Sequence, residues 1–401
     1  MNTSSTRLQL IDAMRGFSLL GIILANMLIF QYGSWGLIDI QATSFSRLDH
    51  MVNGLLEVLV VGSFMPIFAL LFGFGIVKMK ESLERRHLSP YTHLGRRFAL
   101  LMVIGMVHAF FIWDGDILTY YGAFGFGLLL YLRCRPNTLL VWTSLGFGVL
   151  LLIGLVSLIV PDSGSDTADN AYLMNMLSVY SQGSYLDIVL HRNTETPFGS
   201  FAFSFVLMFL LLFSTSLLYI PLFWLGMYMA KKGVFEQANT KKSLYMRGTL
   251  LFVPIGLALK LTPLIIPVLE WETLAVLFGG PVLAIGYVFA FAWIYVAVGE
   301  RRWMNHFTAV GKLSLTNYLL QSVLATTLFY GYGFGWFGQL GVTMGAVIAL
   351  GIYVLQWLLS PLYLRRYSYG PVEKLLRMWT NLSRNGQPRA VTPNIHSART
   401  P

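Results

Sequence analysis

Residues 54–97 read GLLEVLVVGSFMPIFALLFGFGIVKMKESLERRHLSPYTHLGRR, and the change of character inside this stretch decides the fold. Up to Val77 the run is almost wholly apolar. From there it carries Lys78, Lys80, Arg85, Arg86, Arg96 and Arg97. A helix crosses roughly 30 Å of hydrocarbon with about 20 mostly apolar residues. Residues 54–77 therefore read as a membrane span, and the basic run after them as a loop kept on one side.

The same alternation recurs along the chain. Apolar segments near 9–31, 54–77, 98–113, 117–132, 138–160, 200–230, 248–269, 273–299, 307–331 and 341–363 predict an all-α, polytopic transmembrane bundle of about ten spans. The third and fourth are short, and the sixth is long enough to tilt. Lys and Arg fall in alternate loops: Arg133 and Arg135, then Lys231, Lys232, Lys241, Lys242 and Arg247, then Arg301 and Arg302, then the tail from Arg365 to Arg399. The opposite loops hold only Arg47 and Arg192, among acids such as Asp39, Asp162 and Glu195. The positive-inside rule then places both termini in the cytoplasm. Apolar residues make up 56% of the chain and charged ones 11%, which excludes an ordinary soluble domain. The net charge of +10 is this inner-face bias, so it calls for a lipid bilayer and for no nucleic-acid partner.

The expected organisation is one integral membrane domain, 1–380, with a large outer loop at 161–199. A polar, basic cytoplasmic tail at 381–401 reads as disordered. Tyr172–Leu190 has helical apolar spacing and reads as an interfacial helix. The first span is too long for a signal-peptide core and reads as retained. Cys134 is the sole cysteine, so there is no intrachain disulfide and no cysteine-rich metal site. The pattern is compatible with a homo-oligomer.

Ionisable groups cost about 2.5–3.5 kcal/mol each inside a membrane, so those within spans are functional candidates. Asp12 and Arg15 are one helical turn apart, and Asn26 returns to their face three turns on. They read either as a structural ion pair with an interhelical amide bond, or as the lining of a cavity. His108 precedes the turn Trp113-Asp114-Gly115-Asp116. A histidine near carboxylates serves as a general base whose tautomer the acid sets. The alternative is a packing histidine, with Asp116 as an N-cap of the next span. One His with two Asp lacks a second His for metal, so no metal site is expected. In span nine Ser314, Asn317 and Gln321 share a face, answered in span ten by Tyr353, Gln356 and Ser360. Interhelical hydrogen bonding is the plainer reading of these. Lys312 snorkels to the inner surface or meets an anion there. Phe72-Gly73-Phe74-Gly75 reads as close helix packing. Gly370-Pro371 with Glu373 and Arg377 reads as a turn into a short helix with one i, i+4 ion pair.

Taken together, Asp12–Gly16 with Asn26, Leu70–Gly75, His108 with Trp113–Leu118, Leu315–Tyr318 with Gln321-Ser322, Tyr330–Gly333 and Gly370-Pro371 with Glu373 resemble the YeiB family of uncharacterised bacterial inner-membrane proteins. That family is similar in turn to transmembrane acyltransferases, including the lysosomal heparan-sulfate glucosamine N-acetyltransferase and bacterial enzymes that O-acetylate surface sugars. Both groups open with an Asp-x-x-Arg-Gly helix like Asp12–Gly16. The resemblance implies a multi-pass inner-membrane protein using acyl-CoA as co-substrate, with no tightly bound cofactor and a sugar or other envelope acceptor. The O-acetylating group has a histidine where this chain has Asn26. The glucosamine enzyme has a histidine before its second span, a place comparable to His50.

The expected catalytic set is thus His108 oriented by Asp116, with Asn26 as an oxyanion donor and His50 as the competing base. Arg96, Arg97 and Lys312 would meet acyl-CoA phosphates. Asp12, Arg15, Trp113, Asp114, Asn317 and Gln321 would complete the substrate site. Two other functions fit the polar stripes: a transporter or exporter of a small anionic or sugar-like solute, and a non-catalytic scaffold.

Overall fold

The computed structural model describes residues 3–36, 45–157, 170–195, 218–265, 274–299 and 301–387, and every regular element among them is helical. In chain order these are α1 (Thr3–Gly36), α2 (Arg47–Leu59), α3 (Phe64–Glu84), α4 (Pro90–Phe111), α5 (Leu118–Leu128), α6 (Pro136–Ser157), α7 (Asn170–Gln182) and α8 (Tyr185–Thr194). Then follow α9 (Ile220–Lys231), α10 (Lys242–Ile265), α11 (Gly280–Val298), α12 (Arg302–Lys312), α13 (Ser314–Phe329), α14 (Val342–Arg366) and α15 (Pro371–Asn381). Seven segments among the described residues are long and apolar enough to cross a bilayer: Gln9–Gly33, Arg47–Glu84, Pro90–Phe111, Pro136–Val156, Ala238–Ile265, Ala275–Val298 and Val342–Arg366.

The second, fourth and ninth expected spans differ from single long helices. The fourth is α5 followed by a 3-10 turn at Leu129–Tyr131. Of the sixth, residues 200–217 lie outside the described residues and α9 is its end. The ninth is broken at Leu313, whose φ of −104° and ψ of 23° leave the helical region. The break persists because the new helix start at Ser314 has its free amides taken by Glu373, 58 residues from Leu315, which local sequence does not reveal. The second span also pauses, at Val60–Ser63, with Gly62 at φ +69°. The freed carbonyls of Leu59 and Val61 accept hydrogen bonds from Tyr287 (2.9 Å) and Lys260 (3.0 Å), which apolar surroundings demand.

Small residues set the closest helix crossings. A Cβ on Gly73 would sit 2.1 Å from the Phe223 carbonyl, and one on Gly226 would sit 1.9 Å from that of Leu70, so α3 and α9 touch backbone to backbone. Gly16 and Gly311 do the same for α1 and α12, against the carbonyls of Phe307 and Asp12. Without a hydrophobic driving force between helices in lipid, such contact supplies much of the association. The Phe-Gly-Phe-Gly stretch is therefore packing, as its sequence suggested.

Within the expected outer loop, residues 170–195 form α7 and α8, separated at Gly183 and restarted by a Ser184–Asp187 capping box. α7 lies against the turn after α13: the Gly331 amide donates to the Tyr180 carbonyl (2.8 Å), and the Tyr180 ring meets Tyr330 and Phe337 at 5.0 Å. α8 reaches the C-terminus of α4, where Arg192 donates to the carbonyls of Ile112 (2.9 Å) and Phe110 (2.8 Å). After α15, Leu382 adopts the left-handed conformation and residues 382–387 form a hydrogen-bonded turn. Residues 388–401 of the expected tail lie outside the described residues.

Candidate functional site

The turn between α4 and α5 is built so that one carboxylate serves two helices. Asp116 Oδ2 accepts from the Thr119 amide and hydroxyl, both at 2.8 Å, and so satisfies free donors at the start of α5. Its Oδ1 lies 3.0 Å from His108 Nδ1. A carboxylate only accepts, so Nδ1 is the donor and Nε2 is left as the acceptor of a neutral ring. Both readings of Asp116 hold at once: it caps a helix and it orients a histidine. Gly105 makes room, since a Cβ there would meet Asp116 Oδ2 at 2.6 Å.

His108 is 1% exposed, and its Nε2 has no hydrogen-bond partner. Trp113, also 1% exposed, has an unpartnered Nε1. The two rings stand edge to face with centroids 6.3 Å apart. Trp113 is fixed between Phe30 of α1, at 4.1 Å, and Gly115, whose Cβ would lie 2.3 Å from the indole. Tyr318 of α13 flanks His108 at 5.6 Å, and its hydroxyl accepts from the Ile117 amide at 3.4 Å. Asn26 is buried one turn before Phe30 on the same face of α1, and no hydrogen bond from it reaches a described residue. The structure thus gathers His108, Asp116 and Trp113, with Asn26 one turn from Phe30, the α1 residue that meets Trp113.

His50 is not part of this group. It is exposed on α2, edge-on to Phe45 at 6.4 Å, and no contact among the described residues joins it to His108. Asp114 is exposed on the turn, near Tyr172 and Tyr180 of α7.

A second polar group lies toward the N-terminal ends of α1 and α4. Asp12 Oδ1 and Arg15 Nη1 pair at 3.2 Å. Asp12 is also within electrostatic range of Lys312 and Arg377, and Arg97 within range of Arg15, Arg377 and Glu373. Arg97 is eleven residues before His108 on α4, about 16 Å along the axis. Arg15 stands equally far from Asn26 on α1, so both helices lead from the cationic group to the histidine.

Asn317 and Gln321 instead stitch α13 to α14. Asn317 Nδ2 donates to Val310 O and Ser360 Oγ at 3.2 Å, Gln321 Nε2 donates to Gln356 Oε1 at 2.8 Å, and Gln356 Nε2 donates to Asn317 O at 2.9 Å. The shared faces foreseen from spacing are real, and these bonds use their amides. Glu373 was expected to pair with Arg377 within α15. It turns the other way, accepting from the amides of Leu315 (2.8 Å) and Thr316 (3.0 Å) and the Thr316 hydroxyl (2.5 Å), while Arg377 stacks on Tyr369 at 4.1 Å. A carboxylate at a helix N-terminus gains both hydrogen bonds and the macrodipole, more than a surface pair offers. Thr119 and Tyr318 were missed as neighbours of the histidine. Thr119, three residues past Asp116, carried the signal of a capping turn. Among the described residues no cluster of three or more His, Cys, Asp or Glu side chains is placed to hold a metal.

Residues 229–383 match the family described as protein of unknown function (DUF418). Uncharacterized protein YxaH of Bacillus subtilis (strain 168) is 29% identical over 392 residues, 95% of this chain and 96% of that protein. Uncharacterized protein YeiB of Escherichia coli (strain K12) is 27% identical over 394 residues, 92% of this chain and 95% of that protein. Over most of its length the chain is similar to the YeiB family. An uncharacterized 39.9 kDa protein of Bacillus acidopullulyticus is 26% identical over 93% of the chain and 94% of its own length. No solved structure matches. None of these names states an activity, so the chemistry of this chain is argued from His108 and its neighbours.

Proposed function

We propose that the chain is a membrane acyltransferase that moves an acyl group from cytoplasmic acyl-CoA to an envelope or small-molecule acceptor. The observation that carries this reading is the buried His108–Asp116 pair with its free Nε2. A carboxylate on Nδ1 fixes the tautomer and stabilises the imidazolium that forms when Nε2 takes a proton. Packing around the pair keeps water out, where a positioned donor such as Asn26 is worth most to a developing oxyanion.

The orientation proposed follows the basic loops: both termini in the cytoplasm of a bacterial cell, with the inner membrane around the bundle. Arg15, Arg97 and Lys312 then face the side that holds acyl-CoA. Their charges suit its phosphates, and the thioester would extend from there toward His108. Asp12 holds Arg15 in place.

A second reading is supported by the two interrupted helices, at Val60–Ser63 and at Leu313. Paired breaks of this kind line solute paths in transporters. The choice is tested by calorimetry of acetyl-CoA with the purified protein in lipid nanodiscs, using wild type, Arg15→Ala and His108→Ala. Saturable binding weakened by Arg15→Ala, with His108→Ala binding but not transferring, is the result expected. A folded protein that binds no acyl-CoA overturns the acyl-transfer reading and directs the work to vesicle flux.

A further inference from the structure

Beside the histidine turn, α3, α5 and the start of α9 leave a cavity of about 160 Å³ between them. Its lining is almost wholly apolar: Met65 of α3, Ile117, Tyr121 and Phe124 along one face of α5, and Tyr219 and Phe223 at α9. Packed interiors leave few voids larger than a water molecule, and a void costs stability. The walls of this one are braced. The Tyr121 ring stands edge-on to Phe72 at 5.0 Å and to Phe223 at 5.3 Å, and the Tyr219 hydroxyl reaches the Met65 sulfur at 3.7 Å. Behind it α5 is seated on α4, where a Cβ on Gly122 would lie 2.7 Å from the Met102 amide nitrogen. An apolar space kept open by fixed walls is a place for a ligand.

Two observations narrow the ligand. The first is placement. Ile117 follows Asp116, the carboxylate that holds His108, and the Ile117 amide donates to the Tyr318 hydroxyl, whose ring flanks His108 at 5.6 Å. One wall of the cavity and the histidine turn are thus the same piece of backbone. The second is chemistry. Among the described residues no Lys, Arg, His, Asp or Glu side chain lines the cavity, so it offers nothing to a phosphate, and the cations that do stand elsewhere, with Arg97 about 16 Å down α4 from His108. The apolar part of an acyl-CoA that adjoins the reacting thioester is its acyl chain. A cavity of about 150 Å³ takes a benzene ring, so this volume suits about six carbons. We infer that the cavity seats the acyl chain of the donor, an inference that rests on the acyl-transfer reading, and that the group carried is a six-carbon acyl rather than acetyl.

The test uses the full chain in lipid nanodiscs, with calorimetry of acetyl-CoA, hexanoyl-CoA and octanoyl-CoA. Each methylene taken from water into apolar surroundings is worth about fourfold in affinity, so hexanoyl-CoA is expected to bind about 10²-fold more tightly than acetyl-CoA. Met65→Trp fills the cavity and should bring hexanoyl-CoA down to the affinity of acetyl-CoA. Phe124→Leu enlarges it and should move the tightest binding to octanoyl-CoA. Equal affinities for acetyl-CoA and hexanoyl-CoA overturn the chain site. So does a hexanoyl preference that neither substitution moves, since it would come from the surrounding lipid. If Met65→Trp does not fold, Phe124→Leu decides alone.

A phosphate-free probe separates the chain site from the reading beneath it. With the methionine methyl groups labelled with carbon-13, the Met65 resonance is the one absent from Met65→Leu. S-Hexanoyl-N-acetylcysteamine should shift that resonance saturably, and the S-acetyl form should not. No shift overturns the chain site even where acyl-CoA binds through Arg15. A shift with the hexanoyl thioester but no binding of any acyl-CoA leaves the six-carbon site standing and brings down the acyl-transfer reading alone.

Discussion

Asp116 binds His108 through one oxygen, Oδ1 to Nδ1 at 3.0 Å, and the start of α5 through the other, Oδ2 to the Thr119 amide at 2.8 Å. The geometry of the histidine is therefore set by a helix cap. Substitutions at 116 should separate the two duties. Asp116→Asn keeps an acceptor for the cap but weakens the hold on the tautomer. Asp116→Ala removes both.

Asp116→Asn is expected to lower acyl transfer about 10²-fold or more with a small loss of thermal stability. Asp116→Ala is expected to lose the same activity and about 1 kcal/mol more, the usual worth of an N-cap. Thiol release from acetyl-CoA and the unfolding midpoint in nanodiscs read the two effects. Equal activity in Asp116→Asn and wild type would show that the carboxylate is a cap and nothing else.

The amide ladder gives a second, structural prediction. Gln321→Leu and Gln356→Leu each break the 2.8 Å bond between α13 and α14 and strand the partner. The double change, which removes both polar groups, should cost less than the sum of the two single changes. The coupling in a double-mutant cycle should be about 0.6 kcal/mol, the average for such bonds in a membrane bundle. Acyl-CoA affinity should not move. A change in affinity as large as that of Arg15→Ala would return Gln321 to the substrate site.

How much of this was legible in the sequence follows from the range of each interaction. Apolar length and the side of Lys and Arg are local quantities, so the helical membrane fold and the faces of α13 and α14 could be read directly. So could the turn around Trp113, since His108 and Asp116 are only eight residues apart. The breaks at Leu313 and Val60–Ser63 were not legible. Each is stabilised by a residue far along the chain, Glu373 in one case and Lys260 with Tyr287 in the other. A carboxylate choosing between a neighbour at i+4 and a distant helix N-terminus leaves no trace in periodicity. Nor does spacing show that His50 lies exposed while Trp113 is enclosed.

Acid sensitivity should come from α8. His191 is buried against Tyr172 and Tyr180, and burial holds its pKa below the ordinary 6.5, partly offset by Glu195. With the folded pKa depressed, the unfolded chain binds the proton first. The stability from this residue is full above 6.5 and falls as pH drops through the window below it. Arg192, the next residue, holds the α4 carbonyls, so α8 should loosen there on acidification. Hydrogen exchange of 185–194 and the unfolding midpoint, followed from pH 7.5 to 5.5, should fall in wild type and stay nearly level in His191→Phe. Parallel loss in both proteins would place the acid-sensitive group elsewhere.

Glu373 offers the sharpest test of long-range design, because one side chain both starts α13 and docks α15. Its Oε1 takes the Leu315 and Thr316 amides and Oε2 takes the Thr316 hydroxyl, while Trp379 of the same helix donates to the Arg96 carbonyl at 2.9 Å. Gly370 is required beside it, since a Cβ there would lie 2.1 Å from Glu373 Oε2. Glu373→Gln keeps some bonds but loses the charge that the helix N-terminus favours, and should cost about 1 kcal/mol. Glu373→Ala leaves amides in the break without a partner and should cost about 2–3 kcal/mol. Gly370→Ala should resemble Glu373→Ala, because it displaces the carboxylate rather than removing it. In all three, trypsin should cut sooner at Lys374 and Arg377 as α15 lifts away. If Glu373→Ala melts with wild type and resists trypsin equally, the start of α13 is held by something other than this carboxylate. The break at Leu313 would then have to be attributed to the Gly311 crossing alone.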